Sequence, residues 1–278
     1  TLFDDQAIAV TIADVNEAPV ITSNGGGAVA GVSVSENTTA VTTVVATDQD
    51  VPTTITYSVV GGADAALFTI NASTGALSFL SAPDFEAPAD AGANNVYEVT
   101  VRASDGALFD EQTINVTLAD ANESPAIVSN GGGSTAAVAV VENGTAVTTV
   151  TATDVDVPTT LTYSIVGGAD AALFAINAST GALAFLAAPN FESPADVGAN
   201  NVYDVIVRAS DGTLFDEQAI AVTVTDANEA PVITSNGGGP TAGVSIAENG
   251  TAVTTIVATD VDAATTITYS IVGGADQA

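Results

Sequence analysis

The sequence has 278 residues, of which 33 are Asp or Glu and two are Lys or Arg, for a formal net charge of −31. That balance excludes nucleic acid as a partner, since a phosphate backbone demands clustered cations and Arg102 and Arg208 stand a full repeat apart, and it makes divalent cations the obvious partner class. Cys and His are absent, which removes disulfides, zinc–thiolate sites and every Ser-His-Asp or Cys-His arrangement, and no apolar run approaches the ~18 residues of a membrane span.

Hydrophobic residues make up 47% of the chain but aromatics only 5%, so much of the apolar content is Ala and Val, which suits thin β-layers in small repeated domains. In chain order, the first strands are predicted at Val32 to Ser35 and Val41 to Ala46. At Ile55, Tyr57 and Val59 apolar residues alternate with Thr54, Thr56 and Ser58, the period-2 pattern of a strand with one buried face. The GGAD segment at Gly61 is a turn leading into a short helical bend at Ala65 to Leu67. Strands follow at Phe68 to Ile70 and Leu77 to Phe79. Tyr97, Val99 and Val101 alternate with Glu98, Thr100 and Arg102, and Ile114, Val116 and Leu118 close the set. Seven short strands in about 100 residues, with no sustained helical spacing, predict a two-sheet sandwich of the immunoglobulin-like kind.

The same order recurs. DVNEAP at Asp14 to Pro19 returns as DANESP at Asp120 to Pro125 and as DANEAP at Asp226 to Pro231, a spacing of 106 residues each time; Tyr57, Tyr163 and Tyr269 keep it too. Cutting after each Pro gives two complete units, 20–125 and 126–231. Residues 1–19 correspond to the last strand and linker of a preceding unit, and residues 232–278 to the truncated first part of a following one, so the parent protein is expected to carry further repeats. The SNGGG runs at Ser23, Ser129 and Ser235 lack the Lys-Ser/Thr and helix of a phosphate loop and read as flexible loops. The Asn-x-Ser matches at Asn71 and Asn177 fall in NASTG turns, and Arg102 and Arg208 read as partners in surface ion pairs.

Many acids fall at strand ends, where the poles of a sandwich gather loops, and calcium takes six to eight oxygen ligands from such groups. Asp64, Asp90, Glu98, Asp110 and Glu111 fit no ligand pattern and are read as surface solvation. The paired acids Asp84 and Glu86 do not suggest a glycosidase, because the chain has no Trp to line a substrate cleft.

An early SEN or VEN, the DxD of TDQD and TDVD, the DFE pair, RASD, and the linker DxNE followed by Ala or Ser and Pro together resemble the cadherin-like tandem repeats. With VGGADAALF and NASTGAL, the resemblance is closer to bacterial versions in large secreted or surface-anchored adhesins. It implies an all-β fold of tandem seven-stranded Greek-key β-sandwiches in an extended array, with Ca2+ between successive domains. For the junction of the two complete units the resemblance implies Glu36, Asp84 and Glu86 from the first, Asp120, Asn122 and Glu123 from the linker, and Asp154, Asp156 and Asp211 from the second, around three calcium ions. For the earlier junction it implies Asp14, Asn16, Glu17, Asp48, Asp50 and Asp105, and for the later one Glu142, Glu192, Asp226, Asn228, Glu229, Asp260 and Asp262. Asn190 stands where the first unit has Asp84, and Glu123 and Glu229 stand where vertebrate cadherins usually have Asp.

The expected function is a non-enzymatic, calcium-stiffened stalk of a large extracellular or cell-surface bacterial protein. Its expected partners are calcium and neighbouring repeats of the same chain. The alternative is a module whose repeats themselves adhere to a cell-surface glycan or to another copy of the array; it is disfavoured because Tyr57, Phe68, Phe79 and Tyr97 fall on inward positions rather than forming a sugar platform.

Overall fold

The structure, a computed structural model, describes residues 2–50, 54–156, 159–262 and 265–276. It is all-β, with only short 3₁₀ turns besides, and the chain packs as two units, Thr1–Asn122 and Glu123–Ala278.

In the first unit the strands are β1 (Val20–Ile21), β2 (Val29–Ser35), β3 (Ala40–Thr43), β4 (Ala46–Thr47), β5 (Thr56–Gly61), β6 (Phe68–Ile70), β7 (Ala76–Phe79), β8 (Val96–Ser104) and β9 (Phe109–Ala119). Four form a sheet in the order β2-β9-β8-β5, in which β2 runs parallel to β9, and three form the facing sheet β3-β7-β6. The alternation that marked β8 and β9 in the sequence sends Tyr97, Val99, Val101, Ile114, Val116 and Leu118 into the core. From the other sheet Phe68 stacks on Phe79 with centroids 4.5 Å apart, and Phe79 meets Tyr97 edge-on at 5.2 Å.

The expected strand Val41 to Ala46 is two strands, because the chain changes sheets inside it. β3 pairs with β7, whereas β4 pairs with β1. Between them Val44 is fully buried and donates its N–H to the Gly75 carbonyl at 2.8 Å. That approach demands glycine: Gly75 has φ +71°, and a Cβ there would stand 2.0 Å from the Val44 oxygen. The 3₁₀ turn at Ala65–Leu67 follows the GGAD segment as expected.

Two other expectations need correction. The SNGGG loop is tied down rather than flexible: Asn24 Oδ1 accepts from Thr42 Oγ1 at 3.0 Å, Asn24 Nδ2 donates to Gln112 Oε1 at 3.3 Å, and the fully buried Gln112 donates to the Gly27 carbonyl at 3.0 Å. Nor are four of the five acids outside the ligand pattern mere solvation, whereas Glu98 stays exposed. Asp64 (6% exposed) and Asp90 (5%) are buried, and each accepts two backbone N–H bonds. Asp64 takes those of Ala91 and Glu98, and Asp90 those of Asn94 and Asn95. Asp110 accepts the Ile21 N–H and so fixes β1, while Glu111 holds Arg102 at 2.6 Å. Such acids replace lost water with N–H donors, which is what makes their burial tolerable.

The second unit repeats this plan with β10 (Ala126–Ile127), β11 (Thr135–Val141), β12 (Ala146–Thr149), β13 (Ala152–Thr153), β14 (Thr162–Gly167), β15 (Phe174–Ile176), β16 (Ala182–Phe185), β17 (Val202–Ser210) and β18 (Phe215–Thr225). Its sheets run β11-β18-β17-β14 and β12-β16-β15. Beyond them β19 (Val232–Ile233) pairs with β20 (Ala258–Thr259). There Val244, Ile246 and Ile256 stay exposed, whereas their equivalents Val32, Val34 and Val44 pack on the first core.

Candidate metal centre

Each sandwich brings its chemistry-bearing acids to loops at strand ends. On the side that receives the preceding linker, Asp48 and Asp50 follow β4, and Asp48 Oδ1 accepts the Asp50 N–H at 3.0 Å, a local turn that aims both carboxylates outward. The linker docks on them: Glu17 N–H donates to Asp50 Oδ2 at 2.9 Å, and Asn16 Nδ2 donates to Asp105 Oδ2 at 2.7 Å. Carboxylate oxygens of Asp14, Glu17 and Asp50 then lie within 4.8 Å of one another.

Partial loss of hydration, then the charge of Asp50, pushes the Glu17 carboxyl above its usual range. Asp105 is held below the usual range by the Leu108 and Ala107 N–H groups of its hairpin turn and by the Asn16 amide. In the second unit Glu123 N–H likewise meets Asp156 Oδ2 at 2.9 Å, Asp154 Oδ1 accepts the Asp156 N–H, and Asp211 Oδ1 accepts the Thr213 and Leu214 N–H groups.

At the opposite end, β2 delivers Glu36, only 2% exposed, whose Oε2 accepts the Phe85 N–H at 2.7 Å and whose Oε1 accepts the Ala121 N–H at 2.9 Å. One side chain thereby gathers the DFE loop and the linker, so that Glu36, Glu86 and Asp120 converge. The second unit is the fuller example, because residues on both sides of its junction lie within it. Glu142 accepts the Phe191 and Ala227 N–H groups at 2.9 and 3.0 Å. Oxygens of Glu142, Glu192, Asp226 and Glu229 fall within 4.8 Å of one another. Glu229 N–H donates to Asp262 Oδ2, and Asp262 N–H to Asp260 Oδ1. Reduced hydration and the charges of Asp262 and Glu142 raise the Asp226 carboxyl; reduced hydration also raises that of Glu229, against the bond from Asn143.

What these acids lack is a full set of donors. Asp48 Oδ2, Asp154 Oδ2, Asp156 Oδ1, Glu229 Oε2, Asp260 Oδ2 and Asp262 Oδ1 are buried with no hydrogen-bond partner. An orphaned anionic oxygen is costly, and a hard divalent cation is the group that satisfies several at once. The donor set, carboxylates with Asn amides and no sulfur or imidazole, fits calcium.

Not every expected ligand joins the gathered oxygens. Asp84 Oδ1 caps its own loop at the Ala87 N–H and Asp84 is not among the gathered carboxylates, while Asn190 Oδ1 caps its loop in the same way at the Ser193 N–H. Asn228 Nδ2 turns to the Glu229 carbonyl. Sequence reading missed Asn143, whose Nδ2 reaches Glu229 Oε1 at 2.7 Å.

The two-sheet topology with a parallel β2–β9 edge is that of a cadherin-like β-sandwich, and it recurs in the second unit. Residues 31–119 match the family model of the cadherin domain. Human protocadherin Fat 4 is 29% identical over 194 residues, 68% of this chain and 4% of that protein, and human protocadherin Fat 1 is 30% identical over 294 aligned positions, 98% of this chain and 6% of that one. The chain thus spans only a few hundredths of the length of these relatives. Among solved structures, mouse cadherin-23 EC22-24 superposes with a TM-score of 0.52 at 24% identity, covering 89% of this chain and 79% of that one, which shows the shared fold.

Proposed function

We propose that this segment belongs to the adhesive or spacer region of a large extracellular protein and that calcium, bound where linker, DFE loop and DxD loop meet, holds successive repeats in fixed register. The orphaned buried carboxylate oxygens carry this reading: the acids are brought together at a cost that only cations offset. An ion bound by the assembled junction and not by its separated parts shifts the population toward the assembled form and stabilises it by linkage. The reported relatives are animal proteins; a bacterial, surface-anchored stalk is the form of the proposal that VGGADAALF and NASTGAL favour. No catalytic role is included.

Small-angle scattering of the full chain in calcium and then in chelator tests the proposal. The expected result is a larger and more sharply defined maximum dimension with calcium, and an unchanged profile refutes it.

A further inference from the structure

Phe85 sits between Asp84 and Glu86, and its peptide groups are gripped from both sides. Glu36 takes its N–H, and the side-chain amide of Asn95 donates to its carbonyl at 2.8 Å. The second unit repeats the grip: Glu142 on the Phe191 N–H, and Asn201 Nδ2 on the Phe191 carbonyl at 2.8 Å. No strand pairing orders these loops. Glu86 and Glu192 follow directly from the gripped carbonyl, so the peptide plane that Asn95 or Asn201 fixes sets the direction in which each Glu leaves the chain.

Asn201 also ties this loop to the linker. Its carbonyl accepts the Val224 N–H at 2.9 Å, two residues before Asp226, and its own N–H is held by the buried Asp196 at 3.0 Å. Asn95 makes the same links to Leu118 and Asp90. Both residues have φ near +60°, a conformation that Asn tolerates and most side chains do not. Each spends its amide nitrogen on the Phe carbonyl rather than on a carboxylate of the cluster.

We infer that Asn201, and Asn95 in the first repeat, are positioning residues for the metal loop: they touch no ion but orient Glu192 and Glu86 toward the other ligands. This rests on the calcium reading above. Groups that orient a ligand from behind set metal affinity by about 10–100-fold, which is the scale expected here.

The test uses the full chain with Asn201→Gly, which keeps the positive φ but removes the amide, and Asn201→Asp, which keeps size and φ tolerance but cannot donate when ionised. Calcium titration calorimetry is read beside melting in chelator. The expected result is about a tenfold or greater weakening of one class of calcium sites in both variants, with the melting point in chelator little changed. Wild-type affinity in both variants overturns the inference while leaving the calcium site intact. A melting point that falls in proportion to affinity marks a purely structural residue and overturns it too, and a wild-type chain that takes up no calcium overturns the site and this inference together.

Discussion

Glu36 is expected to act as a clasp before it acts as a ligand, and Glu36→Ala in chelator separates the two roles. It removes acceptors from the Phe85 and Ala121 N–H groups, at 2.7 and 2.9 Å. Bonds to a charged acceptor contribute about 1.5–3 kcal/mol each, so the loss is about 3–6 kcal/mol before water reaches the freed groups. Against that, the exposed carboxylates of Glu86 and Asp120 lose a like-charged neighbour, a gain on the order of 1 kcal/mol each. The clasp wins, by about 2 kcal/mol. Glu86→Ala relieves the same repulsion from the other side of the cluster. Urea unfolding, with hydrogen exchange of β8 and β9 assigning the change to the first unit, measures both. A Glu36→Ala variant as stable in chelator as the wild type would refute the clasp.

Proton linkage gives a second prediction. An acid whose pKa is raised in the folded junction stabilises it only when protonated, a contribution present below the ordinary carboxylate pKa and lost as pH rises through the raised value; Glu17, Asp226 and Glu229 are of this kind. Asp105 is the opposite case, contributing above the ordinary value and losing that contribution as pH falls through its lowered one. Calcium binding should therefore release protons near pH ~5 and almost none at pH ~7.5, seen as a buffer-dependent heat at the lower pH only; equal heats in all buffers at that pH would count against it. Asn190→Asp keeps the cap on Ser193 N–H and adds a charge beside the Glu192 loop, so it should strengthen calcium uptake at that end or add an ion, and an unchanged titration would show that Asp84 and Asn190 are equivalent.

Much of this molecule is legible in its sequence, and the limits have physical causes. Long strands such as β8 and β9 repeat one contact type along a face, so Tyr97, Val99 and Val101 betray them. Two-residue β1 and β4 have no period to read, and they are placed by distant contacts, Val44 N–H on the Gly75 carbonyl and Ile21 N–H on Asp110. The junction acids could be picked out by spacing and resemblance. The buried clasps could not: Asp64 is told from a surface acid only by Ala91 and Glu98, donors 27 and 34 residues away. The same holds for Asn143, whose partner Glu229 is 86 residues distant.

The linker contacts suggest where a bound cation would do its work. Glu17, Glu123 and Glu229 each donate their N–H to the second Asp of the following DxD at 2.9 Å. These bonds tie the linker backbone to the receiving side, where oxygens of Asp154, Asp156, Asp260 and Asp262 are buried with no hydrogen-bond partner. In the second unit the other wall of the junction is Glu142, Glu192 and Asp226, held by side-chain clasps on loops rather than by strand pairing. Ordering that wall is the larger entropic cost, since loop backbone and long Glu side chains both lose freedom there. On the calcium reading, changes to the clasps Glu142 and Asn201 should therefore weaken calcium affinity by loosening that wall, which calcium titration reads directly.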